Sequence, residues 1–322
     1  KRLGYTAYSP LPDSTLADPK NGGEHPVGNG PYMPNGENAW QHSKQIDLAV
    51  NPNYSGPRTA KNGGLRIVFY QSLDAAYADL SSNDLDVLDA VPNSVFSSYQ
   101  QELSGRTANQ PAAVIQYITI PERLEHFSGE EGKLRRKAIS MSIDRDSIVK
   151  TVFSGTRTPA KDFTSPAIEG YKEGLKGSEV LTYNPEKAKE LWAQANAISP
   201  WSGKFLISYN SDGGHQQWVD ATCNSIKNTL GIEAEGDAYA DFKSLLGDMK
   251  AGTTKGAFRQ GWQGDYPSLY NFLFPTYSSS ASSNYSGWKS SQFDKYLSDS
   301  LSASPTEALD LQYKAEELLF ED

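Results

Sequence analysis

The stretch RQGWQGDYPSLYNF, residues 259–272, places one carboxylate and one guanidinium among aromatic rings. Asp265 is its only acid, Arg259 its only base, and Trp262 lies between them. A carboxylate among apolar side chains is costly unless a cation or hydrogen-bond donors satisfy it. Three interpretations stay open: an Asp turn beside core aromatics, a stacking surface for sugars or bases, and a pocket whose carboxylate binds a ligand cation. In the third, Arg259 would hold Asp265 in the empty site or bind a ligand carboxylate, and Trp262 would wall a side-chain pocket.

The segments before this stretch place it at the end of a buried strand. Residues 203–211 have the pattern of a strand, residues 213–231 and 241–252 those of helices, and residues 256–262 that of a returning strand. Such a crossover predicts two parallel, buried strands. Ligands of open α/β sheets bind at the carboxyl ends of the strands, so we expect Asp265 to lie in a crevice.

The rest of the chain alternates between strand and helix patterns, which predicts an α/β fold. The predicted strands are residues 45–50, 65–70, 85–91 and 112–120, and the second of them, rich in β-branched and aromatic residues, is expected to be buried. The predicted helices are residues 72–84, ending near Asn83, then 129–155, with Gly155 as the stop, 183–196 and 304–319.

Composition excludes several classes of partner. With 322 residues the chain is long enough for two domains. A net charge of −9 and a pI near 5.1 argue against nucleic acid as a partner, because phosphate binding needs a basic face. The single cysteine, Cys223, allows no disulfide within the chain. No run approaches the roughly 18 apolar residues of a membrane span.

Motifs of catalysis and metal binding are missing from the sequence. It has no G-x-S-x-G, H-E-x-x-H or C-x-x-C motif. The acids at 84, 86 and 89 lack the glycine and glutamate of a calcium loop and are read as a solvated strand edge. We therefore expect no metal, no cofactor and no catalytic residue. The histidines, all expected in surface or loop settings, are His25, His42, His126 and His215.

Seven segments, in order along nearly the whole chain, resemble the extracytoplasmic solute-binding proteins of peptide ABC transporters, the family of dipeptide and oligopeptide binders. VGNGPY resembles the family's G-T/N-G-P-Y turn, and GWQGDYPSLYNFL resembles its W-x-x-D-Y-p-d-p-x-x-f-l run. PERLEHFSGEEG departs from the family's pattern. The seven segments are residues 27–32, 46–56, 134–149, 158–171, 183–195, 261–273 and 286–297.

The resemblance implies a two-lobed periplasmic-binding-protein-like fold of type II, with mixed sheets flanked by helices and a ligand cleft between the lobes. Residues 1–113 would form part of lobe one and residues 114–322 most of lobe two. It also implies that the chain is a fragment. A signal segment, a lipid-anchor cysteine and a small domain would precede Lys1, and a return to lobe one would follow Asp322.

The resemblance also implies a ligand site. The counterpart of Asp265 binds a peptide α-amino group, that of Trp262 belongs to a pocket, and that of Arg259 serves the ligand carboxylate in some members. The main chain of residues 259–266 would hold an extended ligand by strand addition. The implied ligand-binding residues are Arg259, Gly261, Trp262, Gln263, Asp265, Tyr266, Asn284 and Trp288.

A protein of this kind is expected to bind peptides outside the cytoplasmic membrane and to deliver them to an ABC transporter permease. The resemblance implies a monomer that performs no covalent chemistry and touches the membrane only through its lipid anchor. Two other classes stay open. One is a binder of another solute on the same fold, such as an oligosaccharide, an opine, a nickel chelate or haem. The other is a secreted hydrolase.

Overall fold

The computed structural model describes residues 8–322. The chain divides into two compact units, Lys1–Val91 and Pro92–Asp322. The expected lobe boundary between residues 113 and 114 stays a prediction. No helix of the described residues is long and apolar enough to cross a membrane.

The first unit is built around one antiparallel sheet. Its central strand, β3, pairs with the other three strands of the described part of this unit. The strand predicted at residues 45–50 is confirmed as β3. The elements are α1 (Asp13–Ala17), α2 (Pro19–Glu24), β1 (Tyr32–Pro34), β2 (Trp40–Gln41), β3 (Gln45–Val50), β4 (Gly64–Val68) and α3 (Leu73–Ser82).

The strand β4 is present as predicted, but its predicted burial is wrong. Leu65 and Ile67 are 43% and 47% exposed. Among the described residues β4 pairs only with β3, so it is an edge strand. Its apolar composition predicted a strand correctly, because β-branched residues favour the extended backbone whether or not they are covered.

The strand predicted at residues 85–91 does not exist, since this segment forms only bends and irregular backbone. Three of its seven positions carry Asp or Ala, which strands disfavour, and Pro92 follows directly. The preceding helix ends as predicted. Asn83 adopts the left-handed conformation at φ 65° and closes α3.

The second unit contains a mixed four-stranded sheet within residues 92–322, with strand order β5-β8-β6-β7. The strands are β5 (Val114–Thr119), β6 (Phe205–Asn210), β7 (Ala234–Tyr239) and β8 (Ala257–Gln263). The helices are α4 (Tyr99–Glu102), α5 (Gly129–Ser142), α6 (Arg145–Val152), α7 (Pro185–Ile198), α8 (Gln216–Leu230), α9 (Phe242–Ala251), α10 (Leu269–Tyr277), α11 (Ser291–Ser300) and α12 (Pro305–Glu321).

The predicted crossover is confirmed, with one strand more than the sequence suggested. β6 pairs parallel with β8, and β5 pairs antiparallel with it. The additional strand, β7, lies parallel to β6 at the other edge of the sheet. Its sequence, AEGDAY, is poor in strand-forming residues, so pairing with β6 rather than local preference explains it.

The helical region predicted at residues 129–155 is two helices, α5 and α6, separated at Ile143 and Asp144. Asp144 caps the second helix by accepting a hydrogen bond from the Ser147 backbone N–H at 3.0 Å. α6 ends at Val152, before Gly155, which has a left-handed φ of 74°. The N-cap residue Asp144, inside the predicted run, starts a second helix and so divides it.

The two crossover helices cover opposite faces of the sheet. α8 packs Val219 and Ile226 into the core that contains Ala257. α9 packs Leu245 into a smaller core that contains Phe258. Because successive strand residues point to opposite faces, these contacts fix the face of every side chain on β8.

Candidate functional site

The strand β8 has one edge that is only half used. On one side it pairs with β5 along its length, from Thr119 opposite Phe258 to Val114 opposite Gln263. On the other side only Ala257 and Phe258 pair with β6. In the part of the chain that the structure describes, no strand pairs with residues 260–263 on that side. Their backbone groups are available for an added strand.

This free edge lies where the strand order reverses. From β6 the chain crosses through α8 to β7 on one side, and then through α9 to β8 on the other. A crevice forms at the carboxyl ends of parallel strands at such a point, and ligands of open α/β sheets bind there. This is the location that the order of strands and helices predicts for the stretch around Asp265.

The residues predicted on β8 are divided between its two faces. Trp262 packs against Ile115 in a core formed with α10, α11 and α12. Arg259 and Gln263 alternate with it and therefore point to the opposite face. One side-chain pocket cannot contain both Arg259 and Trp262, but an extended ligand along the strand edge can reach both faces.

Gly261 and Gln263 are exposed on the same face as Arg259. A Cβ atom on Gly261 would lie 3.1 Å from the Ile115 carbonyl oxygen, so the glycine allows close approach of β5. Tyr266 is half-buried just beyond the strand.

Asp265 lies two residues after the end of β8 and is exposed to solvent. The last contact that extends the ladder is Gly264, whose N–H donates to the Ala113 carbonyl at 2.8 Å. Asn271 then holds Asp265 through two hydrogen bonds, of 2.7 Å to its backbone N–H and 3.0 Å to its carboxylate Oδ2. The carboxylate is thus oriented by one amide, and the expectation that it sits within an apolar wall is corrected.

Arg259 does not hold Asp265, contrary to one of the roles considered for it. Its Nε donates to Asn210 Oδ1 at 2.7 Å, and its guanidinium lies 4.8 Å from the centre of the Phe242 ring. No carboxylate of the described residues forms an ion pair with it. Burial lowers the pKa of Arg259, and the nearby charge of Asp212 opposes this shift. The cation remains free to bind an anionic group.

A histidine that the sequence analysis assigned to a surface or loop lies beside this cation. His215 Nδ1 accepts a hydrogen bond from Trp218 Nε1 at 3.1 Å, which leaves the ring proton on Nε2. Burial lowers the pKa of His215 to about 4, and the charge of Arg259 adds to the shift. His215 is therefore neutral at pH 7. The sequence position of His215, shortly after β6, is a signal for a place in the site, because ligands bind at the carboxyl ends of parallel strands and β6 is one of them.

Asn284 and Trp288 lie in the loop between α10 and α11. The Asn284 amide donates to the carbonyls of Tyr277, Ser278 and Trp288, the last at 2.8 Å, so it organises this loop. Trp288 packs edge-on against a buried phenylalanine of α11 at 5.3 Å, in the core that contains Trp262. A ligand contact for either residue stays a prediction.

Asn284 also lines a cavity of about 770 Å³ with Arg123, Met249 and Gly252. None of the residues that line this cavity belongs to residues 259–266.

Comparison with known proteins identifies the family. The model of the bacterial extracellular solute-binding proteins, family 5 (middle part), matches residues 3–284. This chain belongs to that family. It is 27% identical to the oligopeptide-binding protein OppA of Bacillus subtilis over 94% of this chain and 55% of the relative. It is 28% identical to the periplasmic oligopeptide-binding protein OppA of Salmonella typhimurium over 100% of this chain and 59% of the relative.

Solved structures show the fold of the family 5 chain. Haemophilus influenzae OppA in complex with the peptide RPPGFSPFR superimposes with a TM-score of 0.83 at 21% identity, covering 98% of this chain and 62% of that one. Helicobacter pylori DppA in complex with the peptide STSA gives 0.81 at 22% identity, covering 99% and 62%. The expected α/β fold of the two-lobed periplasmic binding proteins is confirmed. The chain spans less than two thirds of these relatives' lengths.

Proposed function

We propose that this chain forms the peptide-recognising part of a solute-binding protein that delivers peptides to an ABC transporter permease. The relatives' names, oligopeptide-binding and dipeptide-binding protein, support a peptide ligand. The observation that carries the proposal is an exposed carboxylate, Asp265, held by Asn271 at the end of an unpaired strand edge.

The chemistry of the edge suits a peptide. Backbone groups of residues 260–263 form ladder hydrogen bonds with an extended ligand, whatever its side chains are. The free α-amino group binds the Asp265 carboxylate through a charge-assisted hydrogen bond. Arg259 meets the ligand carboxylate, and neutral His215 donates a hydrogen bond from Nε2 beside it. A sugar-stacking site is less well supported, because Trp262 and Trp288 are packed into a core.

The protein acts outside the cytoplasmic membrane, as the description of its family indicates. It is a monomer, carries a lipid anchor or stays in the periplasm, and catalyses no reaction. Its partners are the peptide and the permease subunits.

Calorimetric titration tests the ligand class. The protein as its gene encodes it is titrated with short mixed peptides, each free and N-acetylated. We expect tight binding of the free peptides and loss of most affinity on acetylation. Binding of neither form, or binding indifferent to acetylation, would contradict the role of Asp265 and direct the search to sugars and metal chelates. Uptake of labelled peptide by cells with and without the gene tests delivery to the permease.

A further inference from the structure

Asn271 contacts residues 259–266, called here the recognition stretch, and is only 3% exposed. It is the third residue of α10, whose neighbouring positions Leu269, Phe272 and Leu273 are buried in a core at 0–1% exposure. The helix is therefore fixed, and Asn271 is fixed with it. A buried side-chain amide is costly unless its polar atoms are satisfied, so its partners indicate what it does.

Its hydrogen bonds all go to the recognition stretch. Oδ1 accepts from the Asp265 backbone N–H at 2.7 Å and from Trp262 Nε1 at 3.4 Å. Nδ2 donates to Asp265 Oδ2 at 3.0 Å. The orientation of the amide is settled by this network, because two N–H donors face one end and a carboxylate faces the other.

We propose that Asn271 is a positioning residue that holds Asp265 in one conformation, with Oδ2 occupied and Oδ1 turned outward as the acceptor for the ligand ammonium. This inference rests on the proposed function. Holding the backbone N–H and the carboxylate together fixes both the loop and the side chain before the ligand arrives. Preorganisation lowers the entropy lost on binding, so Asn271 contributes to affinity without touching the ligand.

The chemical type of the side chain matters as much as its position. A neutral amide presents a donor to Oδ2 and adds no charge of its own. A carboxylate in its place would put two acceptors face to face, and they repel each other unless one proton is shared between them. The amide is the isosteric group that donates to Oδ2 at every pH.

The test compares Asn271→Asp with the parent protein, using free and N-acetylated peptides at pH 5 and pH 7. In this range the peptide ammonium stays protonated, since its pKa is about 7.7–8.0. At pH 7 we expect free peptides to bind about tenfold or more weakly to the variant. At pH 5 the difference in affinity between the variant and the parent protein should be smaller, because a proton shared by the two carboxyl groups replaces the amide donor. The parent affinity stays nearly constant.

Thr276→Ser provides a matched control. Thr276 is buried on the same helix, and its hydroxyl donates to the Phe272 carbonyl rather than to the recognition stretch. We expect it to leave the affinity for free peptides unchanged. Asn271→Ser, which shortens the side chain and adds no charge, should weaken free peptides at both pH values alike.

The outcomes separate the inference from the proposed function. Failure of the parent protein to bind free peptides, or indifference to acetylation, would refute the proposed function. Acetylation-sensitive binding by the parent together with unchanged affinity of Asn271→Asp would refute the positioning role. A loss that is equal for free and acetylated peptides would also refute it, because a general structural effect does not depend on the ligand amine.

Discussion

The Pro92–Asp322 unit contains an exposed carboxylate and a buried pair of acids, and their surroundings are opposite. Asp265 is exposed, and Asn271 donates to one of its oxygens. Asp162 and Glu316 are buried at 3% and 0% exposure and contact each other. Among the described residues, no cation forms an ion pair with either buried acid. Apart from the partner acid, neither oxygen of Glu316 has a hydrogen-bond donor.

The buried pair is satisfied by a proton. Asp162 accepts from the Phe163 backbone N–H, which favours its charged form, but burial still raises its pKa. Burial raises the pKa of Glu316 well above its ordinary value, and the adjacent charge of Asp162 raises it further. The raised pKa of Glu316 favours its protonated form, in which its hydroxyl donates to Asp162. The pair joins α12 to the segment around residue 162.

The contrast shows that the role of an acid depends on the donors around it. In sequence Asp162 and Asp265 look alike, since an aromatic residue follows each directly. In the structure Asp265 has a donor on one oxygen and solvent beside the other, so it can accept a hydrogen bond from a ligand cation. Asp162 has a protonated acid as its partner and stabilises packing instead.

The largest expected effect comes from removing the exposed charge. Asp265→Asn keeps the shape of the side chain but has no negative charge for the ligand ammonium. We expect free peptides to bind about a hundredfold more weakly and N-acetylated peptides to bind as before, because a charge-assisted hydrogen bond is lost only where the ligand has an amine. Titration calorimetry measures both. Asp310→Asn, an exposed position on α12, is the control, and equal losses in both variants would contradict the assignment.

The buried pair should affect stability rather than binding. Because folded Glu316 holds its proton more tightly than the unfolded chain does, its contribution is complete below the ordinary glutamate pKa of 4.5. It is lost as pH rises through the raised folded pKa. Glu316→Gln keeps a hydrogen-bond donor but has no proton to lose. We therefore expect its free energy of unfolding at high pH to exceed that of the parent protein by about 1–3 kcal/mol.

Thermal unfolding from pH 5 to pH 9 measures this effect. The parent protein should lose stability as pH rises, and Glu316→Gln should lose less of it. The facing hydroxyls of Tyr171, Tyr277 and Tyr313 stay neutral in this range, since burial raises the pKa of each. Asp310→Asn should follow the parent curve. A variant curve parallel to that of the parent would mean that Glu316 does not hold the proton.

Local sequence patterns predicted many of the helices and strands that position the site. Gly231, at φ 70°, ends α8 at the last residue of the predicted range 213–231. Asn184 lies at the start of the predicted range 183–196 and caps α7 by accepting from the Lys187 N–H at 3.0 Å. These signals act within a few residues, so they can be recognised without the fold. The position of Asp265 followed from them, because the crossover rule needs only the order of strands and helices.

The elements that were missed depend on distant contacts. β7 carries Glu, Gly and Asp and exists because it pairs with β6. α10 contains Pro275 near its end and is held by the core beneath it. The partners of Asn271 could not be predicted either, since a single asparagine in a helix has no pattern. His215 lies in the loop before α8, as expected, but its partial burial beside Arg259 could not be predicted, because the helix and strand ends around it meet only in the fold.

The smallest expected effect concerns the other end of the ligand. Arg259 is already held by Asn210 and Phe242, so a ligand carboxylate adds to its contacts rather than replacing an ion pair. We expect Arg259→Gln to weaken peptides with a free carboxylate by about threefold to tenfold, and C-amidated peptides hardly at all. Titration of both peptide forms measures the difference.

The same variant, Arg259→Gln, also tests whether His215 lies beside the ligand carboxylate. The positive charge of Arg259 helps to lower the pKa of His215, so its removal should raise that pKa. In Arg259→Gln the imidazole then gains its proton at a higher pH, and affinity for free carboxylates should recover as pH falls toward 5. If the affinity does not recover at low pH, His215 does not face the ligand. If amidation has no effect even on the parent protein, the carboxylate lies elsewhere, and Asp265 is the single ionic anchor of the site.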